Sequence, residues 1–156
     1  MSRYLLLDSG PLGLVTQPKL SPDVVALNRW LIDRLSSGDD VRVPAIIYYE
    51  LRRELIRARK TVGLARLDAF VQIDPRRYLA LTDEALRFAA ELWAKSRQQG
   101  LPTSPALDLD IDVILAAQAL VFGNGAEVVV VTSNPRHLRQ FVDARLWNDV
   151  GVPQVP

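Results

Sequence analysis

Ala106-Leu107-Asp108-Leu109-Asp110-Ile111-Asp112-Val113-Ile114-Leu115-Ala116-Ala117-Gln118-Ala119-Leu120 is the stretch around which the chain is organised. Its first half alternates acid with aliphatic residue, which reads as an extended lead-in carrying Asp108, Asp110 and Asp112. After Asp112 the polarity stops, and Gln118 is the only polar interruption up to Leu120. A helix that is apolar almost all round is buried on every side rather than laid on a surface. Acids at the start of such a helix meet free backbone N–H groups and the positive end of the helix dipole, so Asp110 as cap and Asp112 in the first turn have a structural explanation. Three acids this close together repel one another unless a cation or basic group intervenes. The surplus points to a metal site.

Around this helix, short apolar runs and helical patterns alternate. Tyr4 to Leu7 is a continuous apolar run, read as a buried strand that ends at Asp8 before a Gly- and Pro-containing turn, Gly10 to Gly13. Ser21-Pro22 opens a helix that stops at Gly38, with Val24, Leu27, Leu31 and Leu35 as its apolar stripe. Val41 to Pro44 is a brief strand, and Ala45 to Lys60 a helix whose Ile47, Leu51 and Leu55 fall four apart. A second helix runs from Thr61 to Ile73, with Gly63 expected at the break between the two. Tyr78 to Leu81 reads as a short strand. Thr82 caps a helix reaching Gly100, with Leu86, Ala89, Ala90 and Trp93 as its apolar face. The prolines at 102 and 105 mark a loop. Val128 to Val131 is an interior strand, followed by Thr132-Ser133-Asn134-Pro135, a short helix from Arg136 to Asp143, and a tail from about residue 150. This alternation predicts an α/β fold, a small parallel β-sheet flanked by helices on both faces, in a single domain spanning 1–156.

Composition narrows the function classes. A chain of 156 residues, 49% apolar and 24% charged, has room for one packed core. It contains no Cys, which rules out disulfides and thiolate chemistry, and only one His. The apolar run before Asp8 is too short for a signal peptide or membrane span, so a cytoplasmic protein with no membrane attachment is expected. A net charge of +1 says little, but the charge is unevenly spread: Arg52, Arg53, Arg57, Arg59, Lys60 and Arg66 face only Glu54 in that stretch. Such a run is either a solvated face or a surface for an anionic partner. The tryptophans, Trp30, Trp93 and Trp147, read as packing residues, since no aromatic pair is spaced like a base-stacking platform.

In open α/β sheets, ligands bind at the carboxyl ends of the strands. Asp8 and the Thr132 to Asn134 turn lie at such ends, and Glu50 and Asp112 lie on helices that could begin there, so all four can converge. Each also has a bland explanation: Asp8 or Ser9 as a helix cap, Glu50 in an ion pair with Arg53, Asn134 as N-cap before Pro135, and His137 on a helix surface. If the acids do converge, they titrate as a coupled set and need a divalent cation. Oxygen donors with no Cys favour Mg²⁺ or Mn²⁺ over Zn²⁺. Such an ion activates water and stabilises a phosphoryl oxygen, which implies metal-dependent phosphodiester hydrolysis.

Leu-Leu-Leu-Asp8-Ser9, Val43-Pro44 through Tyr49-Glu50-Leu51, Asp110-Ile-Asp112-Val-Ile-Leu-Ala-Ala-Gln-Ala and Val-Val-Thr132-Ser-Asn134-Pro-Arg-His137-Leu together resemble the PIN-domain family. Within that family the chain looks like the VapC-type toxins of bacterial toxin-antitoxin pairs. The resemblance implies a PIN-like fold and a Mg²⁺- or Mn²⁺-dependent endoribonuclease, usually a homodimer and held inactive by an antitoxin protein. It matches Asp8, Glu50 and Asp112 to the three metal-binding acids and Ser9 to the small hydroxyl residue beside the first. Where many relatives carry a fourth acid, this chain has Asn134, so Asn134 and Asp110 become the further candidate ligands. Arg52, Arg53, Arg57 and His137 are the candidate RNA or partner contacts. The competing reading is a non-catalytic RNA- or protein-binding module using the basic helix 52–60. A phosphatase with Asp8 as nucleophile would need an Asp-x-Asp after the first strand, which is absent.

Overall fold

The computed structural model describes residues 3–100 and 106–151, with only the backbone described for 106–108. The first strand, β1 (Tyr4–Leu7), lies between β2 (Asp40–Pro44) and β4 (Val128–Val131), parallel to both. β3 (Tyr78–Leu79) adds to the outside of β2 and β5 (Ala144–Arg145) to the outside of β4, giving the order β3-β2-β1-β4-β5 with every pairing parallel. Parallel strands covered on both faces are continuous apolar runs. Leu5, Leu6, Leu7, Val129, Val130 and Val131 are accordingly all at zero exposure. Chain order reverses beside β1, whose neighbours come from residues 40–44 and 128–131, so the switch point lies at the ends of β1 and β4.

The helices are α1 (Ser9–Thr16), α2 (Pro22–Ser36), α3 (Ala45–Arg57), α4 (Thr61–Gln72), α5 (Asp83–Gln98), α6 (Ala106–Gly123) and α7 (Pro135–Leu138), followed by a single 3₁₀ turn at Trp147–Asp149. The expected caps of α2 and α5 are present: Ser21 accepts from Val24 N–H and Thr82 from Ala85 N–H. α3 differs, because its N-cap is Pro44 and no side chain there caps it. Gln118 takes that role from across the core. At 2% exposure, its Oε1 accepts from Ile46 N–H at 3.2 Å, and its Nε2 donates to Leu79 O at 3.1 Å and Ala80 O at 3.4 Å. Gln118, the one polar residue of α6 past Asp112, therefore joins that helix to the start of α3 and the end of β3. No helix among the described residues is long and apolar enough to cross a membrane.

Several local expectations give way to packing. The Gly10 to Gly13 segment is helical, capped by Asp8, rather than a turn. The break between α3 and α4 falls at Arg59, whose φ of 56° ends the first helix, while Gly63 lies inside α4 against Leu55, 3.1 Å from where a Cβ would sit. On α5 the buried side is Ala85, Ala89 and Ser96, small residues that let α5 close onto α6. Leu86 and Trp93 are left 44% and 39% exposed at its rim, with the Arg97 guanidinium 5.2 Å from the Trp93 ring. Trp30 and Trp147 do pack, edge to face at 6.0 Å. The expected helix to Asp143 is only four residues long. The chain then forms β5, because β4 would otherwise leave backbone groups unpaired: Val130 N–H donates to Asp143 O and Thr132 N–H to Arg145 O. The expected loop at 101–105 and the tail beyond 151 lie outside the described residues.

Candidate functional site

Asp8 follows β1 directly and occupies the N-cap of α1. Its Oδ1 accepts from Ser9 N–H at 2.7 Å, and its Oδ2 accepts from the Thr132 hydroxyl at 2.7 Å. Thr132, 1% exposed at the end of β4, also accepts from Asn134 N–H at 3.1 Å. One hydroxyl thus orients the Asp8 carboxylate and folds the following turn toward it. The approach is close, since a Cβ on Gly10 would lie 2.3 Å from Ser133 Oγ. Capping and site placement are therefore not alternatives for Asp8; it does both.

Glu50 comes in from the side, on the second turn of α3. It shares with Asp8, Ser9, Asp112 and Asn134 a pocket of about 340 Å³ that Thr132, Ser133 and His137 also line, with no Lys or Arg among its described lining residues. The Ser9 hydroxyl hydrogen-bonds to Glu50, yet Glu50 Oε2 is buried with no hydrogen-bond partner among the described residues. Burial, then the negative charges of Asp8 and Asp112, push the Glu50 carboxyl above the ordinary glutamate range, against the pull of Ser9 and Arg53. An orphaned carboxylate oxygen facing two more carboxylates is the electrostatic signature of a place for a cation.

The α6 acids separate. The helix begins at Ala106, so the anticipated extended lead-in is helical and neither Asp110 nor Asp112 is its cap. Two residues along a helix turn the side chain by about 200°. Asp112 accordingly lines the acidic pocket, whereas Asp110 lies exposed on a different groove with Leu86, Trp93 and Ile114. Asp110 is thus not brought to the other acids. The side chain of Asp108 lies outside the described residues. Asn134 occupies the N-cap of α7, makes no side-chain cap bond and lies at the pocket's lining. His137 also lines the pocket, half-buried.

Among the basic candidates, two are committed within the protein. Arg52 Nη1 donates to Asp68 Oδ1 at 2.6 Å and to Tyr48 Oη at 3.0 Å, which ties α3 to α4, and Arg57 pairs with Glu54. Arg66 donates to the carbonyls of Val15 and Thr16 at the end of α1. Arg53 has no carboxylate partner among the described residues, and its guanidinium lies 5.3 Å from the Tyr49 ring centroid. Sequence reasoning missed Thr132 as the residue that holds Asp8, because the pairing of β1 with β4 is not visible in the chain order.

The donor set suits a hard divalent cation: carboxylate oxygens, hydroxyls, one amide and a single imidazole, with one carboxylate oxygen unpartnered. Among the described residues no three His, Asp or Glu side chains lie close enough together to form a ready-made metal cage.

No protein-family model matches the chain, and no curated protein matches it in sequence. Solved structures do match in fold. A chain of VapBC2 from Rickettsia felis, bound to a DNA fragment from its promoter, superposes with a TM-score of 0.68 at 16% identity, covering 92% of this chain and 98% of that one. FitAcB from Neisseria gonorrhoeae gives 0.65 at 20% identity over 94% and 99%. DNA-bound VapBC from Salmonella typhimurium gives 0.59 at 21% identity over 94% and 99%. Likeness at these identities speaks for architecture, and the architecture is the PIN-like fold: an all-parallel five-stranded sheet between helices, shared over nearly the whole chain with VapBC and FitAB structures.

Proposed function

We propose that the protein is a Mg²⁺- or Mn²⁺-dependent endoribonuclease, the toxin of a toxin-antitoxin pair, acting at the pocket of Asp8, Glu50 and Asp112. The observation that carries this reading is the unpartnered, buried Glu50 Oε2 in a carboxylate pocket without a lining Lys or Arg. The fold shared with VapBC and FitAB structures supports the assignment and suggests a second protein as regulator. A bound ion would supply Lewis-acid activation of water and charge stabilisation on the phosphoryl group. Asp8, Glu50 and Asp112 would hold it, with Asn134 contributing a neutral amide oxygen. Thr132 and Ser9 N–H fix the Asp8 carboxylate so that little reorganisation remains when the ion arrives. His137, at the pocket wall, would donate to a phosphate oxygen. The alternative of a purely binding module resting on helix 52–60 loses ground, since Arg52 and Arg57 are occupied within the protein.

The test is a calorimetric Mn²⁺ titration of the wild type, Asp8→Asn and Asp112→Asn, followed by a search for RNA cleavage. Saturable binding lost in both variants, with Mn²⁺-dependent cleavage lost alongside it, is the expected result. If the wild type binds no more Mn²⁺ than the variants at millimolar concentration, the catalytic reading is wrong.

A further inference from the structure

Residues three or four apart on a helix have Cβ atoms about 5–6 Å apart and form one local surface. Tyr49 immediately precedes Glu50, and Arg53 lies four residues after Tyr49 and three after Glu50. Glu50 turns into the acidic pocket, and Tyr49 and Arg53 flank it on one side of α3, away from Leu51 and Leu55, which face α1 and α4. Tyr49 is 55% exposed, the Arg53 guanidinium lies over its ring at 5.3 Å, and the Arg53 charge reaches the Glu50 carboxylate. Exposed tyrosine needs no explanation by itself. A tyrosine next to Glu50 on α3, with one face covered by a guanidinium that has no carboxylate partner among the described residues, is a flat platform with a phosphate-binding group attached.

Resting on the nuclease reading, we infer that Tyr49 stacks an unpaired base of single-stranded RNA next to the scissile phosphate, while Arg53 holds an adjacent phosphate against the repulsion of the carboxylates. A platform of this kind selects single strands, because in a duplex each base face is already covered by its neighbours. Tyr49 is therefore a positioning residue for substrate rather than part of the metal-binding set. The arrangement also answers an electrostatic need: an acidic pocket repels a polyanion, and the cation closest to it along α3 is Arg53.

The experiment uses the full chain with Asp112→Asn to suppress cleavage, and a short mixed-sequence single-stranded RNA carrying 2-aminopurine at successive positions. Fluorescence quenching on binding is expected at one or two adjacent positions. Adding Tyr49→Ala should abolish that quenching and weaken affinity about tenfold or more, as expected for loss of one aromatic–base stack, while Tyr49→Phe retains both. Arg53→Ala should weaken binding and reduce the slope of affinity against salt, and the same sequence folded into a hairpin stem should bind more weakly than the strand. Unchanged quenching and affinity in Tyr49→Ala overturn the inference. So does a Tyr49→Ala variant that keeps RNA affinity but changes mass in light scattering, since this face would then be an interface between copies. An RNA bound and quenched by Tyr49 but cut by no form of the protein with Mn²⁺ would instead refute the nuclease reading and leave the stacking site intact.

Discussion

Replacing Gln118 with Met keeps an unbranched side chain of similar length and removes the hydrogen bonds at both ends. The structure gives the cost directly. Ile46 N–H, buried and served only by Gln118 Oε1 at 3.2 Å, loses its acceptor at a helix start that no side-chain cap supports. Leaving such a donor unsatisfied costs about 1–3 kcal/mol. The carbonyls of Leu79 and Ala80 lose the shared amide donor, worth about 1 kcal/mol more. The sum, about 2–4 kcal/mol, corresponds to a fall in Tm of about 4–16 °C for a chain of this size. Urea unfolding followed by tryptophan fluorescence should show a lower midpoint with an unchanged slope. Mn²⁺ affinity should fall as well, because Glu50 lies one turn beyond Ile46 on the helix whose start is loosened. Gln118→Glu, which keeps the acceptor but loses the donor, should also destabilise. A Gln118→Met variant within about 0.5 kcal/mol of wild type, the range of an ordinary surface change, would refute the idea that Gln118 serves as the surrogate cap of α3.

Other outcomes follow from the same site. Glu50→Gln should raise the Tm of metal-free protein at neutral pH and eliminate Mn²⁺-induced stabilisation. Because the folded Glu50 carboxyl titrates above its unfolded value, the folded state holds the extra proton between the two, so its contribution to stability is complete at low pH and lost as pH rises through the folded value. The Tm difference between variant and wild type should therefore widen from acid toward neutral pH, measured by scanning fluorimetry without metal. Thr132→Val should cost about 1–3 kcal/mol by leaving Asp8 Oδ2 and Asn134 N–H unpaired, and should weaken Mn²⁺ binding in calorimetry, whereas Thr132→Ser should retain most of both. Arg52→Ala should lower the urea midpoint yet leave the Mn²⁺ isotherm unchanged, because Arg52 braces α4 through Asp68 rather than facing the pocket. Since the Asp68 carboxyl is held below its usual range by Tyr48 and Arg52 despite the opposing effect of burial, this brace persists above the unfolded Asp value and is lost as pH falls through the folded one.

The interior of the fold was legible because it obeys simple periodicities. Leu5 to Leu7 and Val128 to Val131 read as buried parallel strands, and Ser21 and Thr82 announce helices whose hydroxyls do cap them. Misreadings arose where two patterns coincide or where only tertiary pairing decides. Asp108, Asp110 and Asp112 alternate with aliphatic residues like a strand, yet Leu109, Val113 and Ala117 recur every fourth residue and pack together, which favours helix and sends Asp110 away from Asp112. β5 is two residues long and exists because β4 needs a partner, a demand the local sequence does not carry. In the candidate site, the acids Asp8, Glu50 and Asp112 could be named from position and resemblance. The roles of Thr132 and Gln118 required knowing which elements touch. A solitary polar residue in an otherwise apolar helix was the available hint for Gln118, since a buried amide implies waiting partners.

The order of strands in the sheet also sets a timetable for synthesis. β1 emerges first but occupies the middle, and its second neighbour is not made until residue 131. Until then Asp8 has no Thr132 to hold its carboxylate, and the pocket has no wall on that side. Between the synthesis of Asp112, the last of the three acids, and that of Thr132, a growing chain carries all the acids but lacks the surface that aims them. Should this protein cut RNA, the ribosome that makes it would be spared until nearly the last strand is in place.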